Sequence, residues 1–99
     1  MIKIEVLGNN DKITIIGHAE YAEKGKDIVC ASVSSIVITT VNGILRLDSK
    51  AIIYNEDDGI IIDVINKSEV VDKLIINMIE LLEELVKQYP KYINIRRCL

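Results

Sequence analysis

Apolar and polar side chains alternate over residues 1–7, with Ile2, Ile4 and Val6 on one parity and Lys3 and Glu5 on the other. That period of two marks a strand buried on one face. Gly8, Asn9, Asn10 and Asp11 then form a turn signal, since Gly and Asn accept positive φ, and residues 12–17 should return as the second strand of a hairpin. The apolar pattern lapses over 19–26, where Ala19, Tyr21 and Ala22 sit among charges and Gly25 offers a pivot. This stretch reads as a mobile loop. From Asp27 to about Leu47 apolarity is nearly continuous, and Asp27 is a good N-cap because its carboxylate can accept the unpartnered amides of a first turn. The helix predicted here is rich in residues of poor helix propensity (Val33, Ile36, Val37, Ile38, Val41), so two buried strands divided near Gly43 are the competing assignment. The small Ala31, Ser32, Ser34 and Ser35 would allow close packing on a sheet and favour the helix.

Residues 51–54 and 60–65 flank Asn55-Glu56-Asp57-Asp58-Gly59, whose Asp-Gly pair signals a second hairpin. Ser68 is placed to cap a second helix, with Glu69 favourable in its first turn. Val71, Leu74, Ile75, Met78, Leu82, Leu85 and Val86 recur at three- and four-residue spacing, with Glu80, Glu83, Glu84 and Lys87 on the other faces. Pro90 ends that helix, and residues 92–97 alternate once more as a final strand with Ile93 and Ile95 inward. The order is ββαββαβ, an α+β layer structure with two helices packed on a largely antiparallel sheet. No linker or internal repeat divides it, so residues 1–99 read as one domain.

At 99 residues the chain can bury roughly 60 to 65% of its unfolded surface, enough for one core and not two. Twenty isoleucines and no Phe or Trp make that core one of stiff β-branched aliphatics. A net charge of −3 gives no reason to expect a nucleic-acid partner; a basic peptide suits the surface better. Lys3 and Glu5 interrupt anything like a signal peptide, and no run is expected to reach the ~20 apolar residues of a membrane span. The expected compartment is the cytoplasm, where Cys30 and Cys98 would both stay free thiols.

The chemistry concentrates in residues 17–34, which hold the single histidine, His18, and Cys30. With Asp27 as cap, Cys30 takes the third helical position, where free amides and a partial charge of about +0.5 favour a thiolate, the reactive form. His18, at the end of the neighbouring strand, could share a proton with the sulfur and later protonate a leaving amine. The backbone amides of Cys30 and Ala31 would serve a developing oxyanion. Asp27 is read chiefly as a cap and secondarily as an orienter of the ring. A metal cage is not expected, since one histidine and two distant cysteines without a C-x-x-C pair do not supply one. Cys98 reads as incidental, and Glu20, Glu23, Asp57 and Asp58 as solvated loop charges. A small buried hydrophobe on an apolar helix is the plainer alternative for Cys30.

The two-part pattern of Gly17-His18-Ala19, a loop, and then Gly25-x-Asp27-Ile28-Val29-Cys30-Ala31-x-Val33-Ser34 is similar to the Prp family of ribosomal-processing cysteine proteases, over the whole chain. Family members typically show C-A-A where this chain has Cys30-Ala31-Ser32. The resemblance implies a cysteine endopeptidase without a cofactor that removes a short N-terminal extension from a large-subunit ribosomal protein, cutting between an aromatic and a small residue. It implies Cys30 as nucleophile and His18 as base, with Gly17 and Gly25 in a loop that gates the site, and a homodimer. A non-catalytic ribosome-associated module, or a dimeric ligand-binding domain of the same element order, would share the fold.

Overall fold

The computed structural model describes residues 1–23 and 26–98, in the order β1 (Ile2–Leu7), β2 (Lys12–Ile16), α1 (Ile28–Leu47), β3 (Ile52–Asn55), β4 (Ile60–Val64), α2 (Glu69–Gln88) and β5 (Ile93–Cys98). Each element falls within one or two residues of its expected place. The five strands form one sheet in the order β3-β4-β2-β1-β5. Three pairings are antiparallel, while β5 returns after α2 to lie parallel to β1, with Ile4 opposite both Ile15 and Ile95.

The period-two pattern decides which face is covered. Ile2, Ile4, Val6, Ile13, Ile15, Ile62, Val64 and Ile93 all enter the buried core, with Ile95 partly buried against it. Both helices pack against that face. On α1, Val29, Val33, Val37, Val41 and Ile44 form the buried stripe at three- and four-residue spacing. Packing of that stripe overrides the weak helix propensity of β-branched residues, and the two-strand alternative for this segment does not occur. On α2 the buried stripe is Val71, Ile75, Met78, Ile79, Leu82 and Leu85, with Leu74 and Val86 only partly buried beside it. Ile79 belongs to the core although the spacing argument passed over it.

One expectation is corrected here. The 20-residue α1 carries no charge before Arg46 and is, by length and composition, apolar enough to cross a membrane. What distinguishes it is the buried valine stripe, which commits one face to the sheet.

Turn chemistry closes both hairpins. Gly59 adopts φ +98°, and a Cβ there would sit 2.7 Å from the Ile15 carbonyl oxygen, which ties the second hairpin's tip closely to β2. At the opposite end of α2 the helix stops at Tyr89, whose amide caps back to the Leu85 carbonyl, one residue before Pro90.

Candidate active site

β2 delivers the histidine. After Ile16 the chain passes through Gly17 at φ +96°, where a Cβ would collide with the Met1 carbonyl oxygen, so only glycine lets the strand leave the sheet this close to β1. His18 follows, exposed at the head of the sheet. Ala19 then roots the chain again: it is 2% exposed, and its N–H donates to Cys30 Sγ at 3.3 Å. Beyond Glu20, in the left-handed region at φ +57°, Tyr21 sets its ring edge-on to Tyr89 and Tyr92, with centroids 5.6 and 5.1 Å away. The expected loop is therefore fastened at two of its described positions. Gly25, expected as its pivot, lies outside the described residues.

α1 delivers the thiol. Asp27 is the N-cap, its Oδ1 accepting the amides of Val29 and Cys30 at 3.0 Å each. Its Oδ2 accepts the Tyr21 amide at 3.1 Å, so one carboxylate holds both the helix start and the loop. The Cys30 amide above all holds the Asp27 carboxyl below its ordinary value; desolvation opposes it, and the amides of Tyr21, Ala22 and Val29 add to the lowering. This geometry corrects the expected oxyanion donors. The Cys30 N–H is taken by the Asp27 carboxylate, and the Ala31 N–H donates to the Asp27 carbonyl at 3.1 Å as an ordinary helical bond. Neither is free to meet an oxyanion while the cap is in place.

Cys30 is half-buried, and its sulfur takes a hydrogen bond from the Ala19 amide rather than from the imidazole. The sulfur is not sealed in the core. His18 and Cys30 together line two adjoining cavities, one of about 660 Å³ that Glu20, Asp27 and Ala31 also border, and one of about 190 Å³ reaching Gly17 and Gly59. Ser34 lines both as well, one helical turn beyond Cys30 on the same face. Ala19, Tyr21 and Ser34 were given no role at this site by the sequence reading. Ala19 and Ser34 stood in the two-part pattern, and Ser34 also carried its i+4 spacing from Cys30; Tyr21 carried no signal. Among the described residues no group of His, Cys, Asp and Glu could hold a metal ion. Cys98 lies at the other end of the molecule, its thiol 3.5 Å from Glu5, which also pairs with Arg96 at 2.5 Å.

The family model described as cysteine protease Prp matches residues 1–94. The chain is 33% identical over 97 residues to the ribosomal processing cysteine protease Prp of Mycoplasma pneumoniae, covering 95% of this chain and 92% of that one. It is 38% identical over 63 residues to the protein of the same name from Staphylococcus aureus, a stretch covering 60% of this chain and 59% of its relative, so this alignment spans less than two thirds of either. The fold superimposes with a TM-score of 0.91 on a crystal structure of an essential ribosomal processing protease Prp from S. aureus with a covalently linked product peptide. That similarity covers 98% of this chain and 99% of the other, at 26% identity.

Proposed function

Because the chain belongs to the cysteine protease Prp family, we propose that it is a cysteine endopeptidase that removes the short N-terminal extension of a large-subunit ribosomal protein, with Cys30 as nucleophile and His18 as base. The observation that carries the proposal is the position of the Cys30 sulfur: half-buried in the first turn of a capped helix, on the wall of a cleft that the imidazole also lines. The Ala19 N–H points at the sulfur as a hydrogen-bond donor. In the reaction the thiolate attacks the scissile carbonyl carbon and forms a thioester as the C–N bond breaks. His18 gives its proton to the departing amine, then takes one from the water that hydrolyses the thioester and frees the sulfur. With the Cys30 and Ala31 amides engaged, the oxyanion is stabilised by the dipole of the α1 N-terminus, and by the Cys30 amide only if substrate displaces the Asp27 oxygen.

We further propose that the protein acts in the cytoplasm as a homodimer, the state the family resemblance implies; sedimentation of the purified protein tests the latter. The test of the activity is incubation with the full-length ribosomal precursor, followed by mass spectrometry of the products. A single cut near the N-terminus, absent with Cys30→Ala, is expected, and an intact precursor would sink the reading. Iodoacetamide should alkylate Cys30 faster than free cysteine, with His18→Ala slowing it. Cleavage by that variant should fall by about 10² to 10⁴, the usual contribution of a positioned acid–base group.

A further inference from the structure

The N-terminal half of α1 and the C-terminal half of α2 enclose a groove of about 580 Å³ outside the Cys30 cleft. Its α1 wall carries Ile28, Ala31, Ser35 and Ile36, and its α2 wall Leu81, Leu85 and Glu84, whose carboxylate pairs with Lys87 at 3.2 Å. Two of these are large apolar side chains left in water: Ile28 is 52% exposed and Leu81 45%. Leu85, by contrast, is 8% exposed and ties the groove to the core. Between Ile28 and Ile36 the α1 wall is low because Ala31, Ser32 and Ser35 are small, and the Ser32 hydroxyl donates to the Ile28 carbonyl at 2.6 Å, which leaves it satisfied by its own helix. An apolar occupant would cover Ile28 and Leu81 without stranding that hydroxyl.

Ala31 lines this groove and also the larger cavity at Cys30, so the two lie on either side of one small side chain. From Ala31 to Ser35 is one helical turn, ~5.4 Å, which an extended peptide covers in about two residues at ~3.3 Å each. Resting on the protease reading above, we propose that the α1–α2 groove is a specificity subsite that takes an apolar side chain of the substrate peptide about two residues from the scissile bond. Leu81 and Ile28 grip that side chain, and the low Ala31 side chain between groove and cleft sets its register against the sulfur.

The test uses the full chain with Cys30→Ala, fluorescence anisotropy and two labelled peptides. One spans the whole N-terminal extension and the cleavage point; the other is cut back to the residues flanking the scissile bond. Leu81→Asp is expected to weaken the long peptide about tenfold, the low end for one mismatched apolar side chain, and to erode the preference for long over short. Val70→Asp serves as control, since Val70 is 54% exposed at the far end of α2, and should bind like its parent. The inference is overturned if Leu81→Asp matches the control, weakens both peptides alike, or splits a dimer into monomers, which would make the groove a seam between copies. If the protein with Cys30 intact binds the long peptide in a Leu81-dependent way yet never cuts it, the groove stands and the protease reading falls. If it cuts the precursor and Leu81→Asp changes neither binding nor cutting, only the groove falls.

Discussion

Both oxygens of Asp27 are occupied by backbone amides, two from α1 and one from the loop, and the carboxyl is held below its ordinary value of 3.8 chiefly by the Cys30 amide. Because the folded value is the lower one, the stabilisation is complete above the ordinary value and is lost as pH falls from it through the folded value. Asp27→Asn keeps one acceptor oxygen for the helix, yet turns an amide NH₂ toward the Tyr21 N–H, donor against donor. The variant should keep the helical circular dichroism of the parent and lose the part of its acid unfolding curve that falls between those two values. An unaltered curve would show that this carboxylate is not what titrates. His18, Cys30 and Asp27 were legible in the sequence because their types and spacing carry chemistry. The Ala19 amide was not, since every residue has one and only the fold can aim it. The Cys30 and Ala31 amides were misassigned for a related reason: the sequence indicates that the Asp27 cap accepts first-turn amides, but only the fold shows that the Cys30 amide is one of them.

At the scale of elements, α1 shows packing prevailing over propensity. Ile44 is fully buried at the end of its stripe, and Ile44→Ala should cost about 2 to 5 kcal/mol by urea titration, the range for emptying a packed aliphatic site. A loss under ~1 kcal/mol would mean that the stripe is not the main support of the helix. The loop makes a second case. Tyr21 lies edge-on to two tyrosines at the α2–β5 corner, so Tyr21→Ala should speed amide hydrogen exchange at residues 19–22 and leave exchange in β1 and β2 at the parent rate. Equal exchange in parent and variant would remove the aromatic contact as the fastening. Hairpins and helices could be read from the chain because alternation, Asp-Gly and capping side chains are local signals. That β5 lies parallel to β1 could not, because it depends on the path of α2 over the sheet rather than on any residue in residues 92–97.

For the molecule as a whole, the sheet gathers one end for chemistry. The start of β1, the exit of β2, the corner before β5 and the first turn of α1 meet there, while Cys98 pairs with Leu7 at the opposite end. Strand order was not legible, yet it is what makes the arrangement work: β1 is central, and its first carbonyl lies where a Gly17 side chain would be. No polar residue falls in the core among the described residues, so apolar burial holds the sheet and helices together, and at this end the Asp27 carboxylate adds its bonds to the Tyr21, Val29 and Cys30 amides. The acidic balance of −3 suits a basic substrate, and raising salt should weaken precursor binding.

The crowding of Met1 against Gly17 has a practical side. Ile2 lines the smaller cavity beside Cys30, so residues spliced ahead of Met1, an affinity handle included, emerge next to the cleft that holds His18 and Cys30. The same handle attached behind β5 leaves from the far rim, next to Leu7. Purified material tagged in front should therefore process precursor more slowly than material tagged behind, and enzymatic trimming of the leading tag should erase the gap.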